Sequence, residues 1–212
     1  MLKAQAEMNY WLQVKQKEKK DVLGNSHYEY FYTEHFNIAK SFFAGNRILD
    51  IGCGPRGSLE WCDVAAQRVG LDPLAKSYRQ FGIDSHKMLY VASGAENIPF
   101  ADEYFNAVTS FNSLDHVDNL DKSIAEIIRV LKPAGLFLLI TDVNHGPTAT
   151  EPISFSWDIV NKFQPSLTLF EKHHYEKSEN GIYKSIMAAI PYDHSNPAGR
   201  YGILTAKFQK CF

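Results

Sequence analysis

A short apolar run that ends in an acidic residue and two glycines carries the clearest chemical signal of the chain, in the sequence Ile48-Leu49-Asp50-Ile51-Gly52-Cys53-Gly54. Glycines at such a position let the backbone approach a ligand that a Cβ atom would hold away. In an open parallel sheet, ligands bind beside the carboxyl ends of the strands. The segment therefore predicts a ligand-binding loop that follows a buried strand.

The glycine spacing is compatible with two kinds of ligand. Gly52-x-Gly54-x-x-Gly57, followed by Asp72, also fits the fingerprint for dinucleotides, in which an acidic residue holds a ribose. Asp50 distinguishes between the two kinds of ligand, because a carboxylate at the end of a buried strand needs polar partners. A pyrophosphate has little use for an anion there, whereas a ligand with an α-amino group and a sulfonium would be stabilised by it. The pattern favours the cationic ligand and leaves a nicotinamide-dependent oxidoreductase as the weaker alternative.

Short apolar runs alternate with helix-length polar segments in the middle of the chain. This rhythm predicts βαβ units and a parallel sheet that is buried on both faces. The predicted strands are residues 47–51, 68–71, 88–91, 107–111 and 136–141, and the predicted helices between them are residues 59–66, 74–81 and 120–131.

The two ends of the chain differ from this middle part. Residues 1–45 lack β-type alternation and predict an N-terminal helical cap or lid, ahead of one globular unit of residues 46–212. Near the C-terminus we expect a helix at residues 156–162. Two further strands, residues 182–190 and 201–209, are predicted to form an antiparallel hairpin with a long turn at residues 193–199.

Five motifs in order, over about residues 47–142, resemble those of the class I S-adenosylmethionine-dependent methyltransferases, and specifically the small-molecule branch known as methyltransferase type 11. The segments that carry the resemblance are residues 50–54, 70–73, 94–100, 105–117 and 128–135. The resemblance implies an α/β fold with a Rossmann-like, seven-stranded, mostly parallel sheet and helices on both faces. The implied cofactor is S-adenosylmethionine, with S-adenosylhomocysteine as the product.

The resemblance also implies roles for individual residues. The cofactor contacts that it implies are Asp50, Gly52, Cys53 and Gly54 at the methionine part, Asp72 and Pro73 at the ribose, Ala95 and Glu96 at the adenine, and Asn112 in the loop after the fourth strand. Two positions depart from the family pattern, because Arg56 stands where glycine is common and Gly94 where an acidic residue is common. We therefore expect Arg56 to point to solvent, or else to reach the cofactor carboxylate, and Glu96 to bond the adenine amino group.

Histidine is the residue type that could act on the methyl acceptor. Transfer from a sulfonium depends mainly on orientation, and it needs a base only if the acceptor is a hydroxyl or a protonated amine. His116 follows the predicted fourth strand and is the candidate base, since its ordinary pKa lies near neutrality. Helix capping or packing is its other interpretation. His145 is expected to line the acceptor side.

An aromatic cluster precedes the glycine loop. Tyr28 and Tyr32 are four positions apart and would share a helix face, so they are the candidate lid contacts, with plain packing onto the sheet as the alternative. No metal site is expected, because the adjacent His173 and His174 would point in different directions and lack a third ligand.

Composition restricts the partners. The chain has 22 basic and 24 acidic residues, a net charge of −2, which gives no basic face for nucleic acid. The loop at residues 111–114 also lacks the tetrad used on flipped-out bases, so no DNA partner is expected, while tRNA stays open. No apolar run reaches the ~18 residues of a membrane span, and three cysteines without ligand spacing favour a reducing, cytoplasmic setting.

The function predicted from these observations is methyl transfer from S-adenosylmethionine to an oxygen or nitrogen atom of a small-molecule metabolite. A non-catalytic cofactor-binding protein is the main alternative. The acceptor and the oligomeric state are left open by the sequence.

Overall fold

A mixed sheet of seven strands organises the part of the chain that the computed structural model describes, residues 2–25, 28–196 and 200–212. The strands are β1 Arg47–Ile51, β2 Gln67–Leu71, β3 Leu89–Val91, β4 Phe105–Phe111, β5 Leu131–Val143, β6 Leu167–Glu176 and β7 Gly202–Lys210. Their order in the sheet is β3-β2-β1-β4-β5-β7-β6. Strands β1 to β5 pair in parallel, whereas β7 runs antiparallel to both β5 and β6. The predicted α/β class and the mostly parallel sheet are confirmed.

Helices and helical turns cover both faces of the sheet. The α-helices are α1 Leu2–Glu18, α2 Glu29–Tyr32, α3 Leu120–Val130 and α4 Ile182–Ala188, and the longer 3₁₀ turns are Lys40–Phe43, Ser77–Phe81 and Trp157–Phe163. Within the described residues, none of the helices combines the length and the apolar character needed to cross a bilayer.

The core has two halves because side chains alternate along each strand. Val108 on β4 and Leu139 on β5 face the half that α3 and the 3₁₀ turn Trp157–Phe163 cover. Ala107 and Leu138 face the other half, which residues 31–43 and α4 cover. Both faces of the central strands are therefore buried, which explains their continuous apolar sequences.

The C-terminal hairpin differs from the prediction. Residues 182–190 were expected to pair with the last strand, but they contain helix α4, in which Ile182, Ser185 and Ile186 are buried at helical spacing. The partner of β7 is β6, an edge strand with an irregular register between Leu169 and Glu171. Residues 197–199 of the predicted turn lie outside the described part of the chain.

Three predicted helices are shorter or absent. Residues 59–66 form successive turns, in which the Cys62 N–H bonds the Leu59 carbonyl and the Ala65 N–H bonds the Cys62 carbonyl. Residues 74–81 and 156–162 contain the 3₁₀ turns Ser77–Phe81 and Trp157–Phe163 instead of α-helices. Helix α3 matches its prediction to within one residue and is capped by Asn119, whose side chain accepts a hydrogen bond from the Lys122 N–H at 3.0 Å.

Helix α3 anchors residues 94–100, the segment of chain that connects β3 to β4 and approaches the edge of the sheet. The Arg129 guanidinium donates to the carbonyls of Ile98 at 2.9 Å and Phe100 at 2.8 Å. Glu126 accepts from the Ile98 N–H at 2.8 Å. These bonds fix the backbone of residues 94–100 relative to the carboxyl ends of the strands.

Helix α1 lies across those carboxyl ends. Its residues Met8, Trp11 and Val14 pack against a small buried cluster that includes Tyr78 and Phe81. The predicted division into a cap, residues 1–45, and a globular unit, residues 46–212, stays a prediction.

Candidate active site

The glycine loop after β1 has the backbone conformation that its sequence predicts. Gly52 and Gly54 have φ angles of +67° and +56°, which L side chains rarely adopt. A Cβ at Gly52 would lie 2.2 Å from the Ser113 Cβ, and one at Gly54 would lie 2.9 Å from the Trp11 ring. The glycines therefore let the loop after β4 and helix α1 approach the end of β1. The sequence explains the glycines by the close approach of a ligand. The structure adds a second reason, which is the close approach of other parts of the protein.

Asp50 is buried at the end of β1 and accepts three hydroxyl hydrogen bonds. Thr109 Oγ1 donates to Oδ1 at 2.5 Å, Tyr32 OH donates to Oδ2 at 3.2 Å, and Ser58 Oγ also donates to Oδ2. Burial raises the pKa of Asp50 to about 6, against the opposing effect of these hydrogen bonds. The three hydroxyl donors come from three separate segments and have no signature in the sequence.

Asp72 follows β2 and is 7% exposed. The Gly54 N–H donates to Oδ2 at 3.2 Å, and the Leu74 N–H donates to Oδ1 at 2.8 Å. Burial raises the pKa of Asp72 to about 6, although the backbone donors lower it. The carboxylate thus joins the glycine loop to the turn after β2 and keeps further lone pairs for a ligand.

A cavity of 490 Å³ opens at this edge of the sheet. Among its lining residues are Asp72, Pro73, Ala95, Glu96 and Asn112, all predicted as cofactor contacts. Apolar walls come from Leu71 and Val117. A cavity of this size with few polar groups is typical of a small-molecule site.

Glu96 has a second role that the sequence does not reveal. Its Oε1 atom accepts hydrogen bonds from the backbone N–H groups of Asp118 at 2.7 Å and Asn119 at 3.0 Å. It therefore holds the loop between β4 and α3, and its other oxygen is left to meet a ligand. Asn112 has a φ angle of +53°, and its buried Oδ1 atom has no hydrogen-bond partner within the described residues.

A second cavity of 830 Å³ adjoins the first. The two share the lining residues Glu7, Gly52, Asp72, Asn112 and His116. The larger cavity is also lined by the predicted contacts Asp50, Cys53, Gly54, Tyr28 and Tyr32, together with Trp11, Arg56, Phe111, Asp142, Glu151, Lys177 and Tyr183. Two connected compartments suit a reaction between two molecules.

His116 stands where the two cavities meet. Its Nδ1 atom lies 4.0 Å from Glu7 Oε2, and its Nε2 atom lies 3.9 Å from Asp115 Oδ1 and 3.8 Å from Glu151 Oε1. Asp115 is fully buried, and burial raises its pKa, opposed by the charge of His116. The imidazole is thus close to three carboxylates, and it reaches none of them at hydrogen-bond distance.

The other predicted acceptor-side residues separate into two groups. Tyr28 lines the larger cavity with its ring 4.7 Å from that of Tyr183, and Tyr32 lines it through the hydroxyl that reaches Asp50. His145 lines neither cavity and is buried next to Asp115. Tyr28 also precedes the short helix α2 instead of sharing a helix face with Tyr32.

Arg56 does not point to solvent, and its contact with the cofactor carboxylate stays a prediction. Its guanidinium pairs with Glu18 at the end of α1 and lies 5.8 Å from the centre of the Trp11 ring. It therefore holds α1 against the glycine loop, and its side chain is only 18% exposed.

Several lining residues escape the sequence analysis. Lys3 and Glu7 face the cavities from α1 together with Trp11 of the aromatic cluster, and their spacing of four positions could have identified this helix face. Glu151, Lys177 and Tyr183 come from the segments after β5 and β6, where no local pattern marks them.

Comparison with known proteins agrees with this geometry. Residues 49–139 match the family Methyltransf_11, described as a methyltransferase domain. The sterol 4-C-methyltransferase strm-1 of Caenorhabditis elegans is 33% identical over 115 residues, which cover 50% of this chain and 34% of that protein. The malonyl-[acyl-carrier protein] O-methyltransferase of Enterobacter lignolyticus is 35% identical over 100 residues, which cover 45% of this chain and 38% of that protein.

The fold has solved counterparts. An S-adenosylmethionine-dependent methyltransferase from Mesorhizobium loti superposes with a TM-score of 0.59 at 14% identity, covering 79% of this chain and 92% of that one. The seven-stranded sheet therefore has the fold of that structure. Residues 49–139 resemble a methyltransferase domain of the Methyltransf_11 family, and this resemblance implies S-adenosylmethionine as the cofactor. The chain spans less than half the length of the curated relatives described above.

The close approach of Gly52 and Ser113 predicts that a side chain at position 52 destabilises the protein. A second glycine, Gly45, provides the control. Gly45→Ala introduces a side chain at φ +70° into open space, and should cost about 1–2 kcal/mol. Gly52→Ala meets Ser113 as well, and should cost a further 1–3 kcal/mol, roughly, from overpacking. Urea unfolding of both variants measures the difference. Equal losses would contradict the close approach of the two loops.

The raised pKa of Asp72 predicts a pH-dependent affinity for adenosine, which contains the ribose and lacks the methionine part. Above a pKa of about 6 the carboxylate accepts hydrogen bonds from ribose hydroxyls, and below it the protonated group loses that capacity. Affinity should fall about tenfold between pH 7.5 and pH 5. Calorimetry on the wild type and on Asp72→Asn tests this. The variant should bind weakly with a flatter profile, and an unchanged profile would exclude Asp72 as the cause.

Proposed function

We propose that this chain transfers a methyl group from S-adenosylmethionine to an oxygen or nitrogen atom of a small-molecule acceptor. The observation that carries the proposal is the pair of adjoining cavities, which meet at Gly52, Asp72, Asn112 and His116. One cavity contains the predicted nucleoside contacts, and the other contains the predicted methionine contacts together with a separate set of aromatic and charged side chains.

The residues of the smaller cavity fit the nucleoside of the cofactor. Asp72 offers lone pairs to the ribose hydroxyls, and Leu71 and Val117 offer apolar surface to the adenine. The unpartnered Oδ1 atom of Asn112 needs a donor, which a bound ligand would supply. Asp50 places a carboxylate beside the larger cavity, where it favours a cationic group.

When bound, S-adenosylmethionine supplies a methyl carbon that accepts a lone pair from the acceptor while the sulfur keeps the electrons of the broken S–C bond, leaving S-adenosylhomocysteine. The protein then has to orient the acceptor and receive its proton. His116 lies at the junction of the cavities and is the side chain assigned to that proton.

The acceptor compartment is large and mixed in character. Aromatic rings of Trp11, Tyr28, Phe111 and Tyr183 line it beside charged groups. Such a lining suits a metabolite with an apolar body and polar substituents. The O-methyltransferase relative supports oxygen as the methylated atom, and the sterol C-methyltransferase relative makes carbon the outcome that an experiment has to separate.

Helix α1 is assigned the role of a lid. Glu18 at its end pairs with Arg56 beside the glycine loop, and Lys3 near its start binds the His116 carbonyl and pairs with Asp118 at 2.9 Å. The two ends are thus attached on opposite sides of the cavities. This arrangement would limit the access of water to the junction, which strengthens electrostatic interactions there. The three unpaired cysteines support a reducing compartment such as the cytoplasm.

Cofactor binding separates the proposal from the dinucleotide alternative. Calorimetric titration of the purified chain with S-adenosylmethionine, S-adenosylhomocysteine and NAD should show saturable binding of the first two only. Asp72→Ala should bind both more weakly by about 1–3 kcal/mol, because the ribose hydroxyls lose their acceptor. Tight binding of NAD with no response to the sulfonium compound would overturn the proposal. Mass spectrometry of a metabolite extract treated with deuteromethyl-labelled cofactor then identifies the acceptor.

His116→Ala tests the assignment of the acceptor proton. Labelled product should decrease by about 10²–10⁴-fold, while the affinity for S-adenosylhomocysteine stays within a factor of two. His194→Ala is the control, since His194 lies outside the residues that line the two cavities. Full activity of His116→Ala would leave His116 with a packing role alone.

A further inference from the structure

Four ionisable side chains form a cluster in the wall of the larger cavity, and the proposed methyl transfer needs only one of them. Asp115 and His116 follow β4, while His145 and Glu151 lie in the loop after β5. Ligand-type atoms of Asp115, His116 and Glu151 all lie within 4.8 Å of one another. His145 Nε2 lies 3.6 Å from Asp115 Oδ2. These residues are named the Asp115 cluster below.

Asp115 is the unusual member of the cluster. The residue is fully buried, yet within the described residues neither carboxylate oxygen has a hydrogen-bond partner. The other buried carboxylates at this edge have partners: Asp50 accepts from hydroxyls, Asp72 from backbone N–H groups, and Asp142 pairs with Lys177 through one of its two oxygens. A buried charge without partners is strongly unfavourable, so a cation has to neutralise it or the group takes up a proton.

The tautomer of His145 increases the need for a positive charge next to Asp115. Its Nδ1 atom lies 2.9 Å from the Gly146 carbonyl oxygen, which can only accept, so Nδ1 carries the proton. The buried Nε2 atom of the neutral ring then presents a lone pair, and it faces the Asp115 carboxylate. In that state the two acceptors repel each other unless a cation lies between them, whereas a proton on Nε2 would remove the repulsion by pairing the ring with Asp115.

The distances within the cluster are compatible with a bound metal ion. His116 Nε2 lies 3.9 Å from Asp115 Oδ1 and 3.8 Å from Glu151 Oε1. Together with the 3.6 Å of His145, these separations exceed the usual upper limit of about 3.2 Å for a hydrogen bond. They are close to the separation of about 3.4 Å between ligand atoms in a tetrahedral site with bonds of about 2.1 Å.

We propose that the Asp115 cluster binds a divalent transition-metal ion such as Zn²⁺, with Asp115, His116 and Glu151 as ligands, His145 behind Asp115, and the fourth position open to the cavity. Imidazole nitrogens combined with carboxylates suit zinc and its neighbours, whereas Mg²⁺ and Ca²⁺ prefer oxygen ligands alone. Neighbouring contacts orient the ligands, since Thr148 Oγ1 donates to Glu151 Oε2 at 3.3 Å and Gly146 fixes the ring of His145.

The ion would lie at the acceptor side of the site. His116 and Glu151 line the larger cavity, while Asp115 and His145 stand behind them. A water or an acceptor oxygen can therefore reach the ion from the cavity. This last point rests on the proposed function, whereas the binding of the ion does not. A bound ion would make His116 a ligand, and it would then supply the polarisation of the acceptor oxygen, in place of proton removal by the free imidazole.

Metal titration of the whole chain tests the site directly. Protein freed of metal by a chelator is titrated with Zn²⁺ by calorimetry and with Co²⁺ by visible absorption, and Mg²⁺ serves as the comparison ion. We expect one Zn²⁺ per chain, Co²⁺ absorption typical of a site with low coordination number, and at least tenfold weaker binding of Mg²⁺. Absence of stoichiometric Zn²⁺ binding would overturn the proposal and return His116 to the role of a base.

Variants assign the ion to the cluster. Asp115→Asn and Glu151→Gln should each weaken Zn²⁺ binding at least about tenfold. Asp142→Asn is the matched control, because Asp142 is a buried carboxylate that lines the same cavity outside the cluster, and it should bind Zn²⁺ as the wild type does. Asp115→Asn removes an unpartnered buried charge, so the metal-free variant should unfold at a temperature no lower than that of the metal-free wild type.

A competing site on the surface needs its own control. His174 Nδ1 and His194 Nε2 lie 2.9 Å apart and could hold a zinc ion at high concentration. Binding that survives Asp115→Asn and is lost in His194→Ala would assign the ion to that pair and overturn the proposal. Titration with S-adenosylhomocysteine in the presence of chelator keeps the two proposals distinct, because loss of cofactor binding would reject the methyltransferase function without affecting the metal site.

Discussion

Burial of negative charge at the carboxyl edge of the sheet is the constraint on which the site depends. Parallel strands bring Asp50, Asp72 and Asp115 to the same edge, and desolvation raises the pKa of each. The groups that offset the cost of burial differ between the three carboxylates. Hydroxyl groups bind Asp50 and backbone N–H groups bind Asp72, whereas the ionisable neighbours of Asp115 in the described part of the chain are two histidines and another carboxylate. An edge of this kind attracts cations, whether a sulfonium compound or a metal ion.

The hydrogen bonds that stabilise the buried Asp50 carboxylate also hold the fold together. Its three hydroxyl partners come from the segment before β1, from the glycine loop and from β4. Loss of the carboxylate would leave three buried hydroxyls to find other partners. The residue that predicts a cationic ligand in the sequence is therefore also a junction of three segments, and its substitution would change stability and binding together.

The parallel half of the sheet could be predicted because its signals are local. Strand β1 matches its prediction at both ends, since the apolar run stops where the glycines begin. The C-terminal half could not be predicted in the same way. Strand β6 is an edge strand whose sequence is largely polar, and only its pairing with β7 holds it in place. Residues 182–188 are apolar enough for a strand, but their buried positions repeat with a helical period.

The two cavities of the site differ in the same way, because local sequence signals mark the residues of one and not those of the other. The predicted cofactor contacts Asp72 and Glu96 lie in motifs next to strand ends, where position along the chain determines position in space. Trp11, Lys177 and Tyr183, which line the larger cavity, come from segments that meet only after folding. All three lie outside residues 49–139, the part that matches the methyltransferase family. Similarity to that family therefore bears on the smaller cavity and the glycine loop, and leaves the lining of the larger cavity to the flanking segments.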